Sequence, residues 1–343
     1  MKMPDTLERM MFGFIESQTL FVGDKIKLFD YLEEKGPSNC ENISRALNLP
    51  SSSLERLLIV ATCINLLEKR NQNYQLKSEW TPFLSRKSDQ YCGEKFSHYW
   101  KTSYKIFDHL KTALEENKPQ WDKIDKQESS NSALVNVYAD FIYLNDTSTR
   151  EFLETMWASG YRDSVELCEK FTFDNYKNLI DLGGATGSFS IAALHANKDL
   201  NAIIMDCVDI KPYAEKKFHE HNMLDRINFH PGDMFKDNLP TGDMYSIGYV
   251  LSDWPEQDCL SLIQKIYDSL PSKGLIVILE KFFNEDKTGP YLTAMLNLTM
   301  LLEMHGSHRT TSEYMDWLKA VGFTNCQTIY SSGEKHMIIA QKK

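Results

Sequence analysis

At 343 residues the chain is too long for one compact core and long enough for two domains, one of them large. Its net charge of −10 gives no bulk electrostatic case for nucleic acid, and no apolar run is long enough to span a bilayer. Seven scattered cysteines without a C-x-x-C pair read as reduced thiols, and the N-terminal MKMPDTLERMM lacks a secretory pattern, so a cytoplasmic protein is expected.

Residues 5–34 are helical in pattern, with Leu7, Met10, Met11, Phe14 and Ile15 recurring at three- and four-residue steps until Pro37 breaks the chain. A short helix (Glu41–Leu47), a turn (Asn48–Pro50), a second helix (Ser52–Leu67) and a hairpin-like tail near Asn71–Tyr74 follow. Ser51 or Ser52 is the expected N-cap, with Glu55 completing a capping box after Ser52. This is a winged helix-turn-helix layout, whose obvious use is DNA binding. The second helix argues otherwise: between Ser51 and Leu67 the one basic residue is Arg56, beside Glu55, and nearly all else is apolar or small. A recognition helix needs side chains for phosphates and base edges. This one is made for burial, and an interaction or dimerisation role is expected instead.

Residues 96–160 are mostly helical and rich in aromatics, interrupted by a polar segment, Lys118–Ser132, expected to be a surface loop. Aromatics at helical spacing are usually core. Phe141, Met156 and Trp157, just before the next domain, are the candidates for an apolar substrate wall.

From Asn178 onward strands and helices alternate. Strand-like runs cover 178–183, 202–207, 227–231, 244–251 and 274–282, and the chain ends in two strands joined at Ser332–Gly333–Glu334. A doubly wound, mostly parallel α/β sheet with one reversed strand at the end fits this pattern. The first strand runs into Gly183, Gly184 and Gly187 and then a helix-forming run, the nucleotide-binding corner of such a sheet. Asp206 closes the second strand, where an acid reaches a ribose diol. Asp233 follows the third, beside Met234 and Phe235, a set suited to an adenine: the carboxylate accepts from the exocyclic amine and the apolar side chains sandwich the ring. NAD would favour G-x-G-x-x-G, whereas Gly183, Ala185 and Ser188 occupy those positions, and it leaves Asp233 without a task. S-adenosylmethionine explains more residues.

DLGGATG, the acid at Asp206, GDMF, LSDWPEQDC, GLIVILE and HRTTSEY stand in the order found in small-molecule O-methyltransferases of the acetylserotonin and caffeate type. The chain resembles that family over essentially its whole length. The resemblance implies a winged-helix dimerisation domain (1–95), a helical linker and pocket region (96–165) and a Rossmann-like, seven-stranded S-adenosylmethionine-binding domain (166–343). It also implies a homodimer acting on a small molecule and cofactor contacts from Asp181, Gly183, Gly187, Asp206, Asp233, Met234 and Phe235; the charge and the lack of a long apolar run add the expectation of no nucleic-acid or membrane partner. Acceptor contacts would come from the helix Tyr291–Glu303, where Thr299 stands in place of a hydrogen-bonding asparagine and Met300 and Met295 offer soft walls. With Phe141 and Trp157 they suggest a flat, apolar, aromatic acceptor.

The chain departs from the family at the reacting centre. Where relatives carry His-Asp-Trp, with the histidine as base, Ser252-Asp253-Trp254 is found. Gly248 and Tyr249 replace a basic residue that contacts the cofactor's carboxylate, and His308 replaces a glutamate before Arg309-Thr310, with His305 three residues earlier. Imidazole, with a pKa near ~6.5, is suited to take a proton at pH 7. One expectation makes His308 the base, oriented by Asp253 or Glu280. A second joins Asp253, His305 and His308 in a transition-metal site that would bind a chelating substrate for methylation at carbon or oxygen. A third has methyl transfer lost or the nucleoside used for other chemistry. The plainest is that both histidines cap the helix beginning near Thr311.

Overall fold

The computed structural model describes residues 2–88, 90–123 and 145–343, which form two compact units dividing at Lys101/Thr102.

The first unit holds helices α1 (Asp5–Lys25), α2 (Leu28–Lys35), α3 (Cys40–Leu47), α4 (Ser51–Cys63), α5 (Thr81–Leu84) and α6 (Gly93–Lys101). Strands β1 (Ser38–Asn39), β2 (Leu67–Arg70) and β3 (Asn73–Leu76) make a small sheet in the order β1-β3-β2. The helical run at 5–34 is split where Lys27 turns left-handed, at φ 61°. The Asn39 side chain caps α3, accepting the Asn42 N–H at 2.9 Å. The capping box expected at Ser52–Glu55 does not form: Pro50 is the N-cap of α4 and Ser51 is already helical. Proline has no side-chain acceptor, but its fixed φ suits a helix entry. Leu54, Leu58 and Ala61 of α4 pack on Leu28, Phe29, Leu32 and Ile43, so one face of this helix serves the core, while Ile59 on another face is 50% exposed. On α1, by contrast, Leu7, Met10, Met11 and Phe14 are exposed at helical spacing.

The second unit carries α7 (Ser103–Ile106), α8 (Leu110–Glu116) and α9 (Asp146–Lys170), then β4 (Asn178–Leu182), α10 (Ser188–Ala196), β5 (Asn201–Asp206), α11 (Lys211–Glu220) and β6 (Ile227–Pro231). It continues with β7 (Met244–Gly248), α12 (Glu256–Ser269), β8 (Leu275–Glu280), α13 (Tyr291–Glu303), α14 (Thr311–Val321), β9 (Thr324–Ile329) and β10 (His336–Gln341). The seven-stranded sheet runs β6-β5-β4-β7-β8-β10-β9. β4 to β8 pair in parallel, and β10 is antiparallel to both its neighbours. This is the Rossmann-like doubly wound sheet with a reversed last strand. Every residue of β8, LIVILE, is buried, as expected of a strand covered on both faces. β7 stops three residues short of the expected Leu251 because Tyr249 turns to φ 55°. Phe141 and most of the expected loop at 118–132 lie outside the described residues. Among those described, no helix is long and apolar enough to cross a membrane.

Candidate active site

The sheet's central strands all end on one side, and their loops assemble the site. β4 delivers a turn with three left-handed residues: Gly183 (φ 65°), Ala185 (φ 48°) and Gly187 (φ 85°). At Gly183 a Cβ would lie 2.7 Å from Val250 Cγ2 and 3.1 Å from Met234 Cε, so only bare backbone fits. Ala185 tolerates a conformation costing roughly 1–2 kcal/mol. Its N–H is aimed at Asp206, reaching Oδ2 at 2.9 Å, while the Cys207 N–H reaches Oδ1 at 2.7 Å. Two backbone donors thus fix the Asp206 carboxylate at the end of β5. Burial still outweighs them and pushes its pKa up to about 6.

Asp181 plays a different part. Its Oδ2 accepts the Ser190 hydroxyl at 2.7 Å and its Oδ1 the Ser246 hydroxyl at 2.6 Å, bracing β4 against α10 and β7. It is 2% exposed, and burial raises its pKa against those two bonds. The GDMF segment divides. Met234 leans on Gly183, whereas the Phe235 ring packs on Trp254 with centroids 4.6 Å apart. Asp233 Oδ1 accepts the Phe235 N–H at 2.9 Å and Oδ2 pairs with Lys236 at 2.9 Å. Partial burial would raise this carboxyl, but those contacts hold it below its ordinary value.

The residues expected at the reacting centre come together where three loops meet beyond β7, β8 and α13. Gly306 is pressed onto the Ser252–Trp254 backbone so closely that a Cβ would collide with Ser252 O. Ser252 is buried and donates its N–H to Glu280 Oε1 at 3.3 Å. Burial and the neighbouring Asp253 push Glu280 up to about 7, and its Oε2 has no hydrogen-bond partner. Glu303, at the end of α13, is likewise pushed up to about 7 by burial, and accepts the Ser103 hydroxyl at 2.7 Å. Asp253 raises this carboxyl as well.

His308 is 7% exposed. Its backbone N–H is held by Asn297 Oδ1 at 2.8 Å, and its ring hydrogen-bonds the Lys281 carbonyl, while Nδ1 has no partner. Burial, then the positive charges of Lys281 and Arg309, push its pKa down to about 4. The orienting group of this imidazole is therefore a backbone carbonyl of the β8 loop, not a carboxylate as expected. Neither histidine caps α14: Thr310 does, in a capping box with Glu313.

The metal expectation is corrected. Among the described residues no three His, Cys, Asp or Glu side chains could hold an ion. His305 is exposed, and His308 is buried in the field of Lys281 and Arg309, which opposes any added cation. Of the expected acceptor contacts, Thr299 is buried and donates its hydroxyl to Met295 O at 3.1 Å, within its own helix. Met156 and Met300 are half-buried. Trp157 stacks on Tyr161 (4.5 Å, 15°) and touches His221, with Lys217 over its ring, and so packs α9 against α11. Three residues passed over in the sequence shape the site: Asn297, Glu303 and Lys281, whose Nζ lies 2.7 Å from Tyr249 Oη. Only their spacing to motif residues across distant elements could have revealed them, and a linear pattern does not carry that.

A reversed seventh strand, a glycine turn, an acid ending β5 and another just past β6 are the layout of nucleotide-binding doubly wound α/β domains. Comparison with known families narrows this. The O-methyltransferase domain model matches residues 107–324, and the O-methyltransferase dimerisation domain model matches residues 8–80. The chain belongs to the O-methyltransferase family. It is 28% identical to the S-adenosyl-L-methionine-dependent methyl transferase PigF of Serratia sp., covering 98% of this chain and 95% of that protein. It is 26% identical to bovine (Bos taurus) acetylserotonin O-methyltransferase, covering 96% and 95%. A solved structure of PigF with SAH superimposes with a TM-score of 0.89 at 25% identity, over 99% of this chain and 100% of that one.

Proposed function

We propose that this enzyme transfers a methyl group from S-adenosylmethionine to a hydroxyl of a small, flat, largely apolar acceptor, with His308 as general base. The observation that carries the proposal is the buried His308 ring, whose hydrogen bond to the Lys281 carbonyl leaves Nδ1 unpartnered. A lone pair so placed, in the loop packed on Ser252–Trp254, offers what the serine cannot. The names of the relatives, PigF and acetylserotonin O-methyltransferase, support the cofactor and the reaction class.

The residues fit the cofactor's adenosine half. Asp206 offers an oriented carboxylate with a free lone-pair position on each oxygen for hydroxyls of a ribose, and Gly183 offers backbone without a side chain. Met234, over the glycine turn, supplies an apolar face, and Asp233 an acceptor beside it. The cofactor supplies a methyl carbon already activated by a sulfonium. The protein's task is then alignment, exclusion of water and removal of one proton.

His308 is neutral at pH 7, since its pKa is pushed down to about 4. That makes it a weak base toward an unreacted hydroxyl. As the new C–O bond forms, however, the acceptor oxygen becomes a far stronger acid than any imidazolium, so its proton passes to Nδ1 as methylation proceeds. Asp253 and Glu280 stand by as the acidic side of the pocket, Glu280 with one oxygen unpartnered. The exposed apolar face of α1 in the matched dimerisation region supports a homodimer. A screen of phenolic acceptors with methyl-labelled cofactor tests the proposal: an acid-stable ether product supports it, and labelled product confined to carbon, or none from any acceptor, refutes it.

A further inference from the structure

The turn between β9 and β10 is clamped to α9 by two carboxylates. Asp163 Oδ2 accepts the N–H groups of Glu334 (2.9 Å) and Lys335 (2.8 Å), and Glu166 accepts the N–H and hydroxyl of Ser332 (2.9 and 2.6 Å). With its backbone so held, Lys335 sends its side chain inward and is only 3% exposed. Its Nζ lies 3.5 Å from Ser164 Oγ and 4.7 Å from the centre of the Tyr249 ring. A Cβ added at Gly160 would come within 2.7 Å of Nζ and 3.4 Å of Ser188 Oγ, and one at Gly248 within 3.8 Å of Nζ. The ammonium therefore stands between α9, the end of β7 and the first residue of α10, beside the glycine turn.

An ammonium has three protons to donate. Lys335 spends them on one long bond to a neutral hydroxyl and on an aromatic face. Burial lowers its pKa, and Asp181, Glu280 and Asp163 counter this from a distance. A buried, under-satisfied cation at the N-terminus of a helix is a place for an anion. Gly248 and Tyr249, at the end of β7 beside Nζ, bring no cationic side chain of their own. We propose that Lys335, reaching in from the β9–β10 turn, binds the carboxylate at the amino-acid end of the cofactor. This rests on the proposal that the site takes S-adenosylmethionine.

The test is calorimetric binding of two probes to the full-length protein: S-adenosylhomocysteine, which carries the amino-acid tail, and 5′-methylthioadenosine, which lacks it. In Lys335→Met the first should weaken about 10- to 100-fold and the second by less than about twofold. Gly160→Ala should do the same, because the new Cβ displaces only the tip of a flexible side chain. Equal weakening of both probes, or unchanged S-adenosylhomocysteine binding, overturns the proposal. If Lys335→Met fails to fold, Gly160→Ala decides by the same criterion. A wild-type protein that binds neither probe overturns the cofactor assignment instead.

Discussion

Replacing Asp206 by asparagine keeps the shape of the side chain and removes its charge. In the native site each carboxylate oxygen takes one backbone N–H, from Ala185 and Cys207, and keeps a further lone-pair position for a ligand hydroxyl. An amide has one acceptor oxygen. Whichever way it is turned, its NH2 faces one of the two backbone donors and one ligand hydroxyl loses its acceptor. Hydrogen bonds to charged groups contribute about 1.5–3 kcal/mol each, so the substitution should cost about 2–4 kcal/mol of binding, or about 30- to 1000-fold in Kd. Proton competition gives an independent check. Burial pushes Asp206 up to about 6, and only its ionised form accepts two hydroxyls. Affinity of the wild type for S-adenosylhomocysteine should therefore be flat above about pH 7 and weaken by nearly tenfold per unit below about pH 6. Isothermal titration from pH 8 to pH 5 measures both. A wild-type Kd that stays constant over that range, together with an unaltered Kd in Asp206→Asn, would refute the reasoning.

The pH dependence of kcat at saturating cofactor separates a rate limited by the protonation of His308 from one limited by the ionisation of Glu280 beside it. With His308, pushed down to about 4, the rate holds from pH 8 to near pH 5 and falls only as pH approaches 4; with Glu280, pushed up to about 7, it declines already below pH 7. Glu280 also makes a stability prediction. Its carboxyl is raised from 4.5 to about 7, so the native state holds the proton more tightly. That contribution is full below pH 4.5 and is lost as pH rises through about 7. Glu280→Gln should thus stabilise the protein by about 3 kcal/mol at pH 8 and leave it unchanged near pH 4, read by urea denaturation. Equal effects at both pH values would contradict it. Gly306→Ala places a Cβ against Ser252 O and should cost at least about 2 kcal/mol and most of the activity, because the 304–310 loop cannot stay seated on Ser252–Trp254. Retained activity and melting temperature would show that the loop has room.

The parts of the molecule that were legible in the sequence are those whose cause is local. The strand at Asn178–Leu182, its glycine turn and the acids at Asp206 and Asp233 belong to a pattern of strand, turn and strand end, and each occupies that place in the structure. The core-facing side of α4, Leu54, Leu58 and Ala61, followed from its apolar composition. What escaped depends on partners brought in from far along the chain. The capping box at Ser52 lost to a proline whose φ already suited the helix entry. Trp157 could face either side of α9, and its tilted contact with His221, beside its stack on Tyr161, needs α11 in place. The orientation of His308 comes from a main-chain carbonyl, a group present at every residue and hence invisible in a pattern of side chains. Lys335 was equally hidden, since nothing before the fold is known places the β9–β10 turn beside the glycine corner.

The role of His308 is tested most directly by single-turnover methyl transfer to a phenolic acceptor in His308→Gln, with S-adenosylhomocysteine affinity measured on the same preparation. Glutamine retains a polar group in the pocket but has no basic nitrogen. The rate of the chemical step should fall about 10²- to 10⁴-fold while the Kd stays within about twofold of wild type. An unchanged single-turnover rate would contradict the assignment of His308 as the base.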